Sequence, residues 1–581
     1  MNRLKNGRKY IAPAVFAALI VLVFLAPIAR LFFMSLKSAD GYSLANYALL
    51  LREERTRKAI GNTIIIALGS TAMAAVLGSV FAFIIAYTNV HRKRLLELLV
   101  LLPFIIPSYI ITLSWSSLLG QKGVINKTLA AMGFGSINIY SVAGIVLVLG
   151  FCNIPIVYMN VIHMLRKIPT DMEWAARTCG YSVAQTMIKI NLMQVMPAII
   201  SGSILAFLAA IDNFAVPAFL GISSGIPVLS TYIYEKSISF GPDSFSLAAA
   251  LSVILSVIAV GGTMVESAFV KKGAGMDSIA EDFSVRIALG EKKRKALQYG
   301  MTAFLCVINI VPLVSMCKSA LQKNYGVKFT FQQFTLQNFA VVFHNQGVLD
   351  AIRNSLILAG TCCVICVVVG TLIAYQKVRH PGKIVKLAEK SASLTYAIPG
   401  IVLALAMIFH WVEPLPGVRP GIYGTVGILM IAYVTRYLIL QIKGSATAML
   451  AIHPALEEAA EASGRGVMTV WGKILIPLLA RPVLASTFMI FVSALTELTL
   501  SSMLASAGTK TIGLMIFNFQ QAGDYNLAAA MSVIIVLLVL AGYFLVNYQG
   551  FSCKKVEERV YESFNRKYHQ KVQSDLGIES Y

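Results

Sequence analysis

Two carboxylates stand inside apolar stretches of this 581-residue chain: Asp212 in FLAAIDNFAVPAFLG and Glu497 in FVSALTELTLSSML. An ionised side chain at bilayer depth costs on the order of 2.5 to 3.5 kcal/mol on insertion scales, so such residues usually face a bundle interior or a wet path. Asp212, its neighbour Asn213 and Glu497 are therefore the candidate pathway wall. A ring of carboxylates could suit a cation. Equally, the acids could satisfy backbone or neighbouring polar groups in a helix broken by Pro217. Tyr232, Tyr234 and Glu235 in LSTYIYEKS form a second group: phenolates favour ferric iron, but tyrosine also populates interfacial belts. Cys363 and Cys366 have the spacing of a redox or metal pair, yet they lie in TCCVICVVVG, where small polarizable side chains suit helix packing. No metal site is expected. The chain carries no G-x-x-x-x-G-K-[ST] phosphate loop, since GVMTVWGK from Gly466 has one residue too many, and no HExxH. It is not expected to be an enzyme, and any ATP hydrolysis must belong to another polypeptide.

The elements that would position these residues are membrane helices. Hydrophobic residues make up 57% of the chain and charged residues 13%, against about 25% in soluble proteins. The mean hydropathy is +0.74. A net charge of +22 could suggest nucleic acid, but the cations sit in short clusters flanking apolar segments, which is the positive-inside pattern and argues against a nucleic-acid partner. Spans are predicted at 10–34, 58–90, 97–119, 140–163, 197–222 and 246–270, then at 297–317, 351–377, 388–411, 419–442, 481–506 and 525–549. This is an all-α, polytopic membrane chain of two tandem six-helix modules, 1–270 and 297–550, joined by a polar linker, 271–296, and followed by a tail, 551–581. The basic flank MNRLKNGRKY reads as the start of an uncleaved first span. The connections carrying HRKR (91–94), Lys271 and Lys272, Lys377 to Lys383, and Lys554 and Lys555 are predicted on the cytoplasmic side, with both termini.

The halves repeat. Asn62-Thr63 matches Asn354-Ser355, Pro107 matches Pro399, and SLAAALSVIL at Ser246 matches NLAAAMSVII at Asn526. The most telling copy is a soluble island: MEWAARTCGYSVAQTMIKINLM at 172–193 and LEEAAEASGRGVMTVWGKILIP at 456–477. Gly180 and Gly464 are 284 residues apart (464 − 180), and the same offset carries Glu173 onto Glu457 and Ala175 and Ala176 onto Ala459 and Ala460. Glutamate, second alanine and glycine stand at i, i+3 and i+7, so a helix puts them on one face. Thr170 and Glu173 suggest a capping box, and each glycine could end its helix at positive φ. Asp212 and Glu497 follow the two loops at an offset of 285 (497 − 212), which makes them look like counterparts.

This pattern, EAA, three residues, Gly, nine residues and Ile, resembles the signature of the membrane subunits of type I ABC importers. The resemblance covers the whole chain. It departs at Trp174, which stands where Glu458 does, and at Met193, which stands where Pro477 does. It implies that Glu173, Ala175, Ala176, Gly180, Glu457, Glu458, Ala459, Ala460 and Gly464 form two coupling helices seated on an ATPase dimer. ATP and Mg would sit on those partner subunits, with no cofactor on this chain. It further implies an extracytoplasmic solute-binding protein, a bacterial inner membrane location and surrounding lipid. The fused layout, NFAVPAFLGISSGIPVLSTYIYE and ELTLSSML are most similar to ferric iron permeases; 2-aminoethylphosphonate, thiamine and polyamine permeases are the alternatives. Parallel six-helix repeats also build secondary transporters, but those need intramembrane proton or sodium groups, and only Asp212 and Glu497 are obvious.

Overall fold

The computed structural model describes residues 15–38, 41–239, 241, 243–273, 281–327, 330–412 and 421–544. The N-terminal basic flank and the predicted tail with Cys553, Lys554 and Lys555 lie outside them. Among the described residues the only sheet is a pair of two-residue strands, so the fold is all-α as expected. Among the described residues ten helices are long and apolar enough to cross a bilayer, and three bent pairs qualify together. The chain packs as one unit through Val533, and Ile534–Phe544 complete the last helix.

The first half runs α1 (Val15–Leu36), α2 (Glu54–Tyr87), α3 (Lys93–Ile105), α4 (Ser108–Leu119), α5 (Val124–Ala131), α6 (Val142–Lys167), α7 (Thr170–Thr178), α8 (Val183–Asp212), α9 (Ala215–Gly221), α10 (Leu229–Ile238) and α11 (Ser244–Gly273). The second runs α12 (Glu291–Ala320), α13 (Gln346–Arg379), α14 (Lys383–Ala397), α15 (Gly400–Trp411), α16 (Val426–Leu450), α17 (Ala455–Ala462), α18 (Val467–Leu495), α19 (Thr499–Leu504), α20 (Ile512–Gln521) and α21 (Tyr525–Phe544). Ten predicted spans fall on single long helices, most of them within a few residues; α16 lies seven to eight residues later than its predicted span 419–442, and α8 and α18 start fourteen residues before their predicted spans and end ten and eleven residues before them.

The other two spans are broken. Pro107 and Pro399 each take an extended backbone, φ near −55° and ψ near 140°, and leave the next helix without a preceding turn. The axis turns by 101° between α3 and α4 and by 115° between α14 and α15. Both prolines were legible as a repeat; that they fold the span back was not. The predicted span 197–222 also stops early, at Asp212, and α9 and α10 form a further pair bent by 70°.

The duplicated Asn-Thr and Asn-Ser steps fasten these broken segments. Thr63 Oγ1 accepts from Leu229 N at the start of α10, and Ser355 Oγ accepts from Ile512 N at the start of α20, both at 2.9 Å. Asn62 donates to Pro227 O, and Asn354 to Gly508 O and Lys510 O. Helix starts inside a membrane carry backbone donors with no intrahelical partner, and the long helices α2 and α13 supply what the water cannot.

The halves exchange their first helices. α1 packs on α15, and α12 packs on α4 and α3. Ser117 of α4 meets Ser319 and Ser315 of α12 at 2.8 and 3.1 Å between hydroxyl oxygens. The linker is shorter than predicted because α11 continues to Gly273 and α12 starts at Glu291. Residues on the lipid-side faces of the long helices stay apolar and exposed, as at Ile65, Leu68 and Val76 of α2.

The exchange predicts a cross-link. In a cysteine-free background, Ser117→Cys with Ser319→Cys should form a disulfide on mild oxidation, since the two oxygens already lie within bonding reach of two sulfurs. After proteolysis in the linker, the two halves should migrate together without reductant; free migration of both halves would contradict the exchange.

Candidate coupling and pathway sites

Both soluble islands form short helices with the same ending. Gly180 has φ +87° and Gly464 has φ +74°, the left-handed region that glycine enters without a Cβ clash. Tyr181 N donates to Ala176 O at 3.1 Å and Arg465 N to Ala460 O at 3.0 Å, the long bond of a Schellman cap in each copy. Each is followed by a π-helical stretch, Met187–Leu192 and Trp471–Leu475, again 284 residues apart (471 − 187). The predicted capping box at Thr170 is absent: Thr170 donates to Asp282 at 2.5 Å and Glu173 points elsewhere. The capping box of this loop is Ser182 with Gln185.

The face shared by glutamate and second alanine turns inward. Glu173, Ala176 and Glu457 are buried, and Ala460 is half-buried against the cluster of Met449, Ile452, Val470, Leu475, Leu479 and Val483. Ala175, Glu458 and Ala459 are exposed, beside Met172 and Trp174 in the first loop and Leu456, Val467 and Met468 in the second. Met468 keeps 88% of its surface open. The conserved geometry of the two copies therefore has two sides, one fixed to the bundle and one presented outward.

A buried carboxylate needs a partner, and each half finds a different one. Glu173 Oε1 accepts from Arg286 Nη1 and from Asn191 Nδ2, each at 2.7 Å. Arg286 belongs to the linker, which is not a loose solvated strand here. Arg286 N and Ile287 N donate to Tyr87 O, both at 2.9 Å, and Asp282 N donates to Arg166 O. The Arg286 guanidinium also donates to Ile168 O and Asp282 Oδ2, each at 2.9 Å, and lies over the Tyr87 ring. The Thr170 hydroxyl and the Ser284 backbone hold the Asp282 carboxyl down to about 2. Its stabilising contribution is thus present above the usual carboxylate range and lost only as pH falls toward 2.

In the second half Arg379 does this work. Its Nε donates to Glu457 Oε1 at 2.7 Å and its Nη2 to Ile452 O at 2.8 Å. Arg379 is the last residue of α13, as Tyr87 is the last of α2. The first half thus has tyrosine at that corner and borrows its arginine from the linker, while the second carries the arginine itself and has buried Leu475 where Asn191 stands. In the sequence Arg379 stands out only as one of the inside-positive cations between Lys377 and Lys383, and nothing there marks Arg286.

The pathway candidates are satisfied by local partners. Asp212 Oδ1 accepts from Gly400 N at 2.7 Å and Oδ2 from Arg436 Nη2 at 2.5 Å, joining the end of α8 to α15 and α16 of the other half. Arg436 also donates to Ile398 O at 2.6 Å. Gly400 N is an open donor at a helix start, where the dipole favours negative charge. Glu497 accepts from Leu500 N at 3.0 Å and from the Tyr437 hydroxyl. Asn213 accepts from Val216 N at 2.9 Å and donates to Ser108 Oγ at 3.1 Å.

The counterpart of Glu497 is therefore Asn213, not Asp212: both cap the helix that follows, and their separation is 284 (497 − 213), the offset of the loops themselves. The two acids do not form a ring of open ligands. Arg436, a cation well inside the predicted span 419–442, is the sequence signal for the partner of Asp212.

The tyrosine group is dispersed as well. Tyr232 donates to Glu53 at 2.7 Å, Glu235 pairs with Arg55, and Tyr234 packs on Phe214. Cys363 and Cys366 do not meet; Cys362 and Cys366 lie one turn apart in α13 with sulfurs at 3.9 Å, all three buried. Among the described residues no three His, Cys, Asp or Glu side chains gather as a metal requires.

The family model for the binding-protein-dependent transport system inner membrane component matches residues 74–267 and again 366–551, one match on each half. The chain belongs to this family. It is a permease component of a transport system, with two copies of the module in one polypeptide. Its relatives include the ferric transport system permease protein FbpB of Actinobacillus pleuropneumoniae, 24% identical over 93% of this chain and 78% of that protein. The Fe(3+)-transport system permease protein FbpB 2 of Haemophilus influenzae is 20% identical over 93% of this chain and 99% of its own length. The putative 2-aminoethylphosphonate transport system permease protein PhnU of Salmonella typhimurium is 24% identical over 41% of this chain and 84% of its own.

The two arginine contacts predict separable lesions. Arg286→Ala leaves Glu173 buried without a counter-charge, a loss of about 3 to 5 kcal/mol for the local structure. Hydrogen exchange should rise in 170–192 and stay unchanged in 455–475, and Arg379→Ala should give the reverse pattern; equal exchange in both loops would contradict the assignment. Arg436→Leu should lower the Tm of the detergent-solubilised chain, and adding Asp212→Asn should recover part of the loss, because the second change removes the stranded carboxylate. An additive double variant would show that the two side chains are not coupled.

Proposed function

We propose that this chain forms the membrane path of an ATP-driven importer for ferric iron. The observation that carries the reading is the duplicated loop: two identically capped helices, each with one face locked to its own half and one face open, offer two equivalent seats to a dimeric motor. The full-length similarity to permeases named for ferric transport supports iron as the substrate. Similarity to the phosphonate permease spans a single module and supports the shared machinery more than that cargo.

In this reading the loops face the cytoplasm, as do both termini, and ATP and Mg belong to the motor subunits. Exposed Met172, Trp174, Leu456, Val467 and Met468 make the apolar contact with the motor. ATP binding draws the two motor subunits together, and the loops carry that movement into α8 and α18. A solute-binding protein delivers the ion at the opposite face. Between the halves, Phe214 and Phe219 of the first pack on Phe517 of the second, with ring centroids 6.3 and 5.4 Å apart, and close the path at the level of the broken helices. The Asp212–Arg436 pair ties the halves at the same corner and must shift when they separate. With its charge balanced, Asp212 acts as a cross-half tie, and substrate choice rests with the binding protein.

Met468→Asp places a charge at the centre of the apolar seat and should cost about 2 kcal/mol, roughly thirtyfold in motor affinity. Copurification with the ATPase should fall while membrane insertion persists. In proteoliposomes with the ATPase and binding protein, ferric-loaded binding protein should stimulate ATP turnover, and uptake should survive collapse of the proton gradient. Stimulation by a phosphonate, thiamine or polyamine instead would replace iron while keeping the mechanism; uptake that follows the proton gradient and ignores ATP would end the importer reading.

A further inference from the structure

The tyrosines of LSTYIYEKS are dispersed, but another group has gathered. Tyr140, Tyr325 and Tyr525 line one cavity of about 580 Å³. The rings of Tyr325 and Tyr525 lie 4.6 Å apart between centroids, and the Tyr325 hydroxyl reaches to 3.8 Å from the position a Cβ would take at Gly120. Tyr140 stands just before α6, Tyr325 beyond the end of α12 and Tyr525 at the start of α21, so the cavity joins the two halves at the end of α6 remote from the duplicated loop. Ser223 and Gln520 line it as well, each within about one turn of Phe219 and Phe517. Gln520 Nε2 donates to Phe219 O at 3.4 Å, which places the cavity next to the ring contact that shuts the path.

Gln520 is a second, independent mark of a ligand. It is 6% exposed, and with its Nε2 engaged by Phe219, its Oε1 has no hydrogen-bond partner. A buried acceptor left unmatched calls for a donor or a cation. Phenolic and amide oxygens around one space are hard donors, which suit a small, highly charged ion. We propose that this cavity is a receiving site for ferric iron, in which Tyr140, Tyr325 and Tyr525 bind the ion as phenolates and Gln520 Oε1 adds a fourth oxygen on the side of the closed path. This site rests on the ferric reading of the permease given above. Each phenol releases its proton to solvent as its oxygen bonds the iron, and the iron stays ferric, so no electron is exchanged. Three phenolates cancel the three charges of the ion, and Lys122 on the cavity wall then faces a neutral complex. The binding protein still chooses the substrate; the tyrosines take it over and hold it at the mouth until the phenylalanine rings part.

The test uses the full chain purified in detergent and titrated with ferric nitrilotriacetate, read by the phenolate-to-iron charge-transfer absorption in the visible. The wild type should develop that band and saturate at one iron per chain. Tyr140→Phe with Tyr325→Phe and Tyr525→Phe keeps the rings and their packing, so the variant should melt as the wild type does and lose the band. Gln520→Leu should keep the band and weaken iron binding about tenfold. Tyr232→Phe with Tyr234→Phe should leave the band unchanged. No band in the wild type overturns the proposal. An undiminished band in the triple phenylalanine variant also overturns it and assigns the iron to adventitious sites. Ferric-stimulated ATP turnover in proteoliposomes without any band overturns the receiving site and leaves the ferric reading standing. A band with no such turnover overturns the receiving role together with the ferric reading.

Discussion

A carboxylate taken out of water must be given back its charge partner, and in this permease that requirement fixes the attachment of both duplicated loops. Glu173 and Glu457 lie beneath their helices and not on the open surface, and each is held by one arginine at 2.7 Å. Loss of either arginine strands a buried anion, so the loop cannot move without the helix ends to which it is tied. A loop that only touched the bundle through apolar contacts could slide or tilt under load. A charge-paired one passes a push on to α2 and α8 in the first half, or α13 and α18 in the second.

The two halves reach this end by different residues, which bears on how the fusion is built. In the second half the arginine is part of the module, at the last turn of α13. In the first it comes from the segment that joins the modules, held along Tyr87 by two backbone bonds. The linker is thus a structural part of the first loop, and cutting it would affect that loop and spare the second. The exchange of first helices works in the same direction, since α1 and α12 each contribute to the opposite half. The Asp212–Arg436 pair adds a charged tie across the same division.

Much of this was legible in the sequence because a duplicated pattern is hard to produce by chance. The loops, their glycine caps, the long helices and the equivalence of Pro107 with Pro399 all came from periodicity and repeats. What escaped was decided by tertiary contact. An i, i+3, i+7 stripe shows that Glu173, Ala176 and Gly180 share a side but not which way that side faces. Thr170 and Glu173 satisfy a capping-box pattern, yet Asp282 and Arg286, more than a hundred residues away, offered charged partners that the local box could not match. Asp212 was paired with Glu497 by charge, where the shared hydrogen-bonding role pairs Glu497 with Asn213. In a chain so poor in charge, an acid inside a span implies a cation near it, and Arg436 was there to be read.

The claim that each loop moves as one body with its own half is open to direct measurement. Spin labels at the exposed Ala175 and Ala459, with further labels at Arg94 and Lys383 on the neighbouring connections, would report both distances by pulsed electron resonance in the complex with the ATPase. On ATP binding the 175–459 distance should shorten while 175–94 and 459–383 stay fixed. A change within either half, or an unaltered distance between the loops, would contradict the account.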